Sequence, residues 1–126
     1  MATEKKAPKI LVVDDEEDIL KIVVFRLQTA GYQTVTAADG GSALFCVKEE
    51  RPDLILLDIR MPIMSGFDVC KQLKSDDEFK NIPIIFLTAS NAATVAAKTK
   101  QFGADDYLVK PFDPKVLLEK VKKFTK

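Results

Sequence analysis

Three short runs of the chain are almost entirely apolar, and each is bounded by polar residues. They read Ile10-Leu11-Val12-Val13, Leu54-Ile55-Leu56-Leu57 and Ile82-Pro83-Ile84-Ile85-Phe86-Leu87. Short continuous apolar runs predict strands that are buried on both faces, as central strands are in a parallel sheet. Two weaker candidate strands cover Gln33 to Thr36 and Asp106 to Val109.

Segments with helical periodicity follow each of these strands. Their apolar positions are Leu20, Val23, Val24 and Leu27, then Ala43, Leu44 and Val47, then Val69, Cys70 and Leu73, then an alanine-rich segment toward Gln101, and finally Leu117, Val121 and Phe124. Predicted N-caps are Asp39, Ser65, Ser90 and Asp113, the last followed by Pro114, and Gly31 is expected to end the first helix. Strict strand–helix alternation predicts an α/β fold with a parallel sheet covered on both faces. The charged segment from Ser75 to Asn81 is expected to be only a connection.

Charge and composition argue against several kinds of binding partner and several kinds of catalytic site. The 126 residues fit one domain, and 19 acidic residues balance 19 basic ones, so net charge does not indicate nucleic-acid or membrane binding. We find no apolar run of membrane-spanning length and no signal-peptide core in residues 1–9, so a cytoplasmic location is the default expectation. The absence of histidine excludes a histidine-based triad and a phosphohistidine of the chain's own. Cys46 and Cys70 lack metal-ligand spacing and are expected to be ordinary apolar residues.

Polar residues follow four of the five predicted strands. Asp14 and Asp15 follow the first strand, Asp58 the third, Thr88 the fourth and Lys110 the fifth. Because the carboxyl ends of parallel strands meet at one edge of a sheet, we expect these side chains to lie close together. Each residue alone has an ordinary explanation, such as a helix cap or a solvated strand end. The joint pattern indicates a binding site.

The chemistry of such a group of side chains is specific. Three crowded carboxylates repel one another and must protonate, pair or bind a cation, and Mg²⁺ prefers oxygen ligands of this kind. Asp58 ends a central strand alone and is the candidate nucleophile, while Asp14 and Asp15 are the candidate metal ligands. Lys110 would supply positive charge and Thr88 a hydrogen bond to a phosphoryl oxygen. The pattern therefore predicts a phosphoryl-transfer centre.

Several motifs resemble the receiver domains of two-component response regulators, in particular the single-domain chemotaxis type. They are residues 9–16, 58–62, 87–89 and 107–112, with Ser65-Gly66 and residues 102–106 also similar. The resemblance covers about Pro8 to Phe124 and implies a flavodoxin-like (βα)5 fold, a doubly wound parallel five-stranded sheet in the order 2-1-3-4-5. It divides the chain into an amino-terminal tail, residues 1–8, and a receiver domain, residues 9–126, with no output domain expected.

The resemblance also implies an activity. A sensor histidine kinase or phosphotransfer protein would donate a phosphoryl group to Asp58, with Mg²⁺ required. Asp15 would bind the metal directly and Asp14 largely through water, and Asp58 and the backbone carbonyl of Arg60 would complete the protein ligands. The protein would be a signalling phosphoacceptor, catalysing only its own phosphotransfer and autodephosphorylation.

Further positions carry roles that are implied in the same way. Thr88 and Tyr107 would form a switch in which the tyrosine turns inward, and an unidentified downstream protein would recognise the face made by the fourth helix, fifth strand and fifth helix. Arg60 and Ser90 would flank the path of the hydrolytic water and set the phosphate lifetime, and Ala89 would leave the phosphate accessible. A cis peptide is implied between Lys110 and Pro111. The protein would be a monomer or a phosphorylation-dependent dimer.

Other classes of function remain open on the sequence. A haloacid-dehalogenase-like phosphatase would need a second carboxylate two residues after the nucleophile, where this chain has Arg60. A flavin or nucleotide binder would need a phosphate loop after the first strand, where residues 14–18 are all acidic. A receiver that signals without phosphorylation is a further alternative. The lysines near the carboxyl terminus are expected to form a solvated face, not to bind DNA, and they are Lys115, Lys120, Lys122, Lys123 and Lys126.

Overall fold

A computed structural model describes residues 7–89 and 92–125. Five strands alternate with five helices along the chain. The elements are β1 (Lys9–Val13), α1 (Glu17–Thr29), β2 (Gln33–Ala37), α2 (Gly40–Glu50), β3 (Leu54–Asp58), α3 (Gly66–Lys74), β4 (Ile84–Thr88), α4 (Ala92–Phe102), β5 (Asp106–Val109) and α5 (Pro114–Phe124). The α/β alternation predicted from the sequence is confirmed.

The five strands form one parallel sheet in the order β2-β1-β3-β4-β5. This order agrees with the flavodoxin-like topology that the resemblance implies. Asp58 and Thr88 are the last residues of their strands and pair with Leu87 and Val109 respectively, so both functional candidates lie at the carboxyl edge. β4 begins at Ile84, two residues later than predicted, because Pro83 has no N–H to contribute to the sheet.

Each face of the sheet has its own apolar core. On one face, α1 and α5 bury side chains such as Leu27 and Leu117 against the strands. On the other face, α2, α3 and α4 do the same with side chains such as Val47, Val69 and Val95. Every residue of β3 and β4 is buried, which is what their continuous apolar sequence requires. Among the described residues no helix combines the length and apolar character needed to cross a bilayer.

The helix ends follow the predicted capping residues where the structure describes them. Asp39 accepts a hydrogen bond from the Ser42 backbone N–H at 2.7 Å, and Asp113 accepts one from the Lys115 N–H at 2.7 Å. Ser65 and Asp68 form a capping box at the start of α3. Gly31, just beyond α1, adopts a positive φ of 95°. The predicted cap Ser90 lies outside the described residues.

The segment between α3 and β4 is a connection, as predicted, and it also contributes one residue to the core. Phe79 is only 3% exposed and packs into the core beneath α2 and α3. The guanidinium of Arg51 lies 5.3 Å from the centre of the Phe79 ring and also pairs with Glu78. The burial of Phe79 was not predicted, because a single aromatic residue in a charged stretch has no periodicity to reveal its burial.

The two cysteines are free, as expected. Cys70 is fully buried, and its thiol donates to the Phe102 carbonyl oxygen at 3.4 Å. Burial raises the pKa of the Cys70 thiol to about 11, so the group stays neutral at ordinary pH. The predicted solvated lysine face of α5 needs one correction, because Lys120 forms an ion pair with Asp106 at 2.7 Å.

Candidate functional site

Three carboxylates converge at the carboxyl edge of the sheet. Asp14 and Asp15 follow β1 directly, and Asp58 ends the neighbouring strand β3. One oxygen from each residue lies within 4.8 Å of the other two. Asp14 and Asp58 are buried, whereas Asp15 is exposed. The five candidate residues that the sequence analysis expected at one edge are thus located at the ends of adjacent strands.

Lys110, the residue that follows β5, reaches across this edge to the carboxylates. Its Nζ lies 2.7 Å from an oxygen of Asp14, 3.6 Å from Asp58 and 3.5 Å from Glu16. Burial lowers the pKa of Lys110, but the hydrogen bond from its ammonium to Asp14 and the negative charges of Asp58, Asp14 and Glu16 outweigh that effect. The net shift of the Lys110 pKa is upward, so the side chain is firmly protonated.

Asp58 has an unusual protonation equilibrium. Burial raises the pKa of the Asp58 carboxyl, and the charge of Asp14 raises it further, so that its net pKa is about 7. Lys110 and the Arg60 backbone N–H oppose this rise without cancelling it. One ammonium group is therefore insufficient for three carboxylates in a partly dry environment, and the site has a demand for additional positive charge.

The turn after β3 approaches Asp58 very closely. The Arg60 N–H points at an oxygen of Asp58 at 3.4 Å, and the Gly66 N–H donates to the Ile59 carbonyl oxygen at 2.9 Å. A Cβ on Gly66 would overlap the Asp58 carbonyl oxygen. Glycine at this position therefore lets α3 begin directly against the chain that carries the candidate nucleophile.

The residues of β4 and β5 border the same site. The Thr88 side chain is buried, and the Thr88 backbone carbonyl oxygen accepts a hydrogen bond from the Lys110 backbone N–H at 2.6 Å. Ala89 is exposed at the end of β4. Tyr107 is half-buried against the core, with the Lys120 Nζ 6.0 Å from its ring centre. The Lys110–Pro111 peptide is cis, as the resemblance implied, and Ser90 lies outside the described residues.

Glu16 is the residue near the site that the sequence analysis did not single out. It occupies the N-cap position of α1 without forming a side-chain cap bond, and its carboxylate faces Lys110. Asp14 does not cap α1 either, but accepts a hydrogen bond from the Glu16 N–H at 2.9 Å. The sequence shows only that the acidic run continues after Asp15. It does not indicate which of these acidic residues faces Lys110.

The chain matches the family model of the response regulator receiver domain over residues 10–122. It is 42% identical over 118 residues to a probable transcriptional regulator of Galdieria sulphuraria, which covers 94% of this chain and 45% of the relative. The chain thus spans about half the length of this relative.

Solved structures give the same assignment. The chemotaxis protein CheY4 of Vibrio cholerae superimposes with a TM-score of 0.87 at 38% identity, covering 94% of this chain and 98% of that one. The receiver domain of the sensor histidine kinase PA1611 of Pseudomonas aeruginosa has a TM-score of 0.86 at 28% identity, with coverages of 94% and 98%, and that structure has a magnesium ion coordinated in its active-site cleft. The chain described here therefore belongs to the response regulator receiver domain family of two-component signalling.

Proposed function

We propose that this protein accepts a phosphoryl group on Asp58 and thereby controls the binding of a partner protein. The observation that supports this role most directly is the meeting of three carboxylates and a protonated lysine at one sheet edge. A buried carboxylate with a nearby ammonium is suited to forming an acyl phosphate, since the negative charge of the phosphoryl group needs local compensation.

Mg²⁺ fits the carboxylate cluster on the chemistry of its donors. The candidate ligands are all oxygen atoms, from Asp14, Asp15, Asp58 and the backbone carbonyl of Arg60, and the carboxylate oxygens lie within 4.8 Å of one another. The raised pKa of Asp58 supports the same proposal, because a bound cation would relieve the repulsion between Asp58 and Asp14. When bound, the ion would neutralise phosphoryl oxygens. The magnesium in the PA1611 receiver domain is a parallel in another family member.

The phosphotransfer step uses the side chains as follows. An oxygen of ionised Asp58 attacks phosphorus, the phosphorus–nitrogen bond to the donor histidine breaks, and its electron pair remains on the imidazole nitrogen. Lys110 would pair with a phosphoryl oxygen, Thr88 would donate a hydrogen bond to another, and the small Ala89 would leave room for the group. The donor would be a sensor histidine kinase or a phosphotransfer protein.

The switch is proposed to connect Thr88 with Tyr107. When Thr88 moves toward the phosphoryl group, the half-buried Tyr107 ring would complete its movement into the core. The surface formed by α4, β5 and α5 would then change its affinity for an unidentified downstream protein. The receiver would act as a monomer or as a phosphorylation-dependent dimer.

The phosphorylated state would be temporary. Arg60 is exposed two residues after Asp58, and with Ser90 it would control the access of water to the aspartyl phosphate and so its lifetime. The protein would act as a phosphoacceptor, with residues 9–126 forming the receiver domain after a tail over residues 1–8. Arg60 in place of a carboxylate also disfavours a phosphatase that turns over substrate, because that position would have to act as acid and base.

Phosphorylation by a small donor tests the proposal. Intact protein is incubated with acetyl phosphate and Mg²⁺ and analysed by mass spectrometry, and we expect one added phosphoryl group. Asp58→Asn should abolish this modification, whereas Asp77→Asn, which removes an exposed carboxylate far from the cluster, should leave it unchanged. Modification of the Asp58→Asn variant to the wild-type level would contradict the assignment of Asp58.

A further inference from the structure

A cavity of about 620 Å³ lies beside the carboxylate cluster, between the β3–α3 turn and α4. Its walls are mainly apolar and include Ile59, Met61, Pro62, Phe67 and Val95. Ile59, Met61 and Val95 are buried core residues, so these walls are held by the packing of the domain. Small-molecule sites are typically concave and apolar, with volumes of about 300–1,000 Å³.

Two cationic residues, Arg60 and Lys98, also line this cavity. The Lys98 Nζ lies 5.9 Å from the centre of the Phe67 ring and 6.0 Å from that of Phe102, and the two rings stack at 4.8 Å. Within residues 7–89 and 92–125, neither cation forms an ion pair. Asp15, the acidic residue that lines the cavity, also belongs to the carboxylate cluster.

We propose that this cavity binds a small aromatic anion. The flat body of the ligand would lie against Phe67 and Met61, and its acidic group would face Lys98 and Arg60. Burial of the ring would supply most of the affinity. The two cations outnumber the one carboxylate in the lining, that of Asp15, and would select an anionic ligand over a neutral one. The cavity shares Asp15 and Arg60 with the centre of the proposed function, but ligand binding here requires no phosphorylation of Asp58.

The size of the cavity favours a small molecule over a folded protein partner. A stable protein interface typically covers about 800 Å² on each side, which a single concavity does not provide. A ligand of two or three rings fills a space of the observed size, and its charged group can then face the two cations in the lining.

Binding can be measured with the fluorescent probe 1-anilinonaphthalene-8-sulfonate, an aromatic anion. The folded protein is titrated in buffer with EDTA, so that the result does not depend on the proposed Mg²⁺ site. We expect saturable binding at one site, and at least fivefold weaker binding of the neutral probe N-phenyl-1-naphthylamine. Equal affinity for the two probes, or no saturable binding of the anion, would overturn the proposal.

Two variants with matched controls locate the site. Lys98→Gln should weaken binding of the anionic probe about fivefold, whereas Lys100→Gln, on the same helix but outside the cavity, should not. Thr94→Trp places an indole at the cavity and should abolish binding, whereas Ala93→Trp at the exposed neighbouring position should not. Circular dichroism checks that each variant is folded. If Lys98→Gln binds as the wild type does, the cavity is not the site, whatever the result for Thr94→Trp.

Discussion

Two lysines at opposite edges of the sheet have very different surroundings. Lys74 lies at the amino edge of the sheet, where β4 and β5 begin. Its Nζ donates hydrogen bonds to the carbonyl oxygens of Lys80 and Ile82, at 3.1 and 3.0 Å, and forms an ion pair with Asp105 at 3.2 Å. Asp105 in turn accepts a hydrogen bond from the Ile84 N–H at 2.8 Å. At the carboxyl edge, Lys110 faces three carboxylates, those of Asp14, Glu16 and Asp58.

The difference lies in charge balance. The Lys74 group contains one ammonium and one carboxylate, and its remaining N–H groups meet neutral carbonyls, so it joins loop, helix and strand without excess charge. The Lys110 group has an excess of negative charge, and burial together with the charge of Asp14 raises the pKa of Asp58 to about 7. The balanced group stabilises the fold, whereas the unbalanced group is destabilising when no cation is bound and is the proposed Mg²⁺ site.

Removing the balanced lysine should have the largest effect on stability. Lys74→Met removes the donor to two carbonyl oxygens and leaves the Asp105 carboxylate without its cation, so we expect the free energy of unfolding to fall by about 2–3 kcal/mol. Urea denaturation measures the change. Lys80→Met, which removes an exposed ammonium paired with Asp77, is the control and should change stability by less than about 0.5 kcal/mol. A similar loss in both variants would show that the Lys74 contacts do not stabilise the fold specifically.

Neutralising Asp58 should have the opposite sign. Its folded-state pKa of about 7 lies above the ordinary value of 3.8, so folding takes up a proton between these pH values. The stability associated with protonated Asp58 is complete below pH 3.8 and is lost as the pH rises through 7. In Mg²⁺-free buffer at pH 8, Asp58→Asn should therefore stabilise the protein by about 1–3 kcal/mol.

Denaturation of the two proteins across the pH range checks this sign. The difference between Asp58→Asn and wild type should shrink as the pH falls from 8 to 5. Asp77→Asn serves as the control, since that carboxylate is exposed. A difference that does not change with pH would mean that Asp58 is ionised in the folded protein throughout this range.

Bound Mg²⁺ should offset the excess negative charge at the carboxyl edge and so raise the stability of the protein. If the ion binds the folded carboxylate cluster, free Mg²⁺ at about ten times its Kd should raise the free energy of unfolding by about 1.4 kcal/mol. Thermal denaturation at increasing Mg²⁺ measures this gain. Asp15→Asn should lose the gain and Asp53→Asn, far from the cluster, should keep it. An equal gain in Asp15→Asn would place the ion elsewhere.

The smallest expected effect concerns backbone strain at the two edges. Arg51, before β3, has a φ of 45° and is supported by Glu78 and the Phe79 ring, whereas Ile63, after β3, has a φ of 71° and a fully exposed side chain. A β-branched residue in this region is strained, so Ile63→Gly should stabilise the protein by about 0.5–1 kcal/mol. Arg51→Gly should gain less or lose stability, because it also removes the contacts of the arginine. Urea denaturation of both variants distinguishes these outcomes.

The fold could be predicted almost completely from local patterns. The runs at residues 10–13 and 54–57 became β1 and β3 with one residue added to each, and Asp39, Ser65 and Asp113 cap their helices as predicted. These features depend on near neighbours in the chain, which the sequence displays directly. The burial of Phe79 could not be predicted, because it depends on how the helices α2 and α3 pack above it.

The composition of the carboxyl edge was predictable for a topological reason. Parallel strands deliver their final residues to one side, so Asp14, Asp15, Asp58, Thr88 and Lys110 had to lie at the same edge once the alternation of strands and helices was established. The roles proposed for these residues and for Tyr107, Arg60, Ala89 and Ser90 remain predictions, which the phosphorylation and metal-binding experiments test.

The sequence by itself determined that this protein would be a parallel α/β domain with carboxylates and a lysine at one edge, because periodicity and strand order are properties of the chain. Tertiary structure alone decided that Lys110 pairs most closely with Asp14, leaving Asp58 buried with a raised pKa. It also decided that a cavity opens beside Arg60 and Lys98. Distances between side chains, their burial and the space between elements result from the packing of distant segments, which no local pattern specifies.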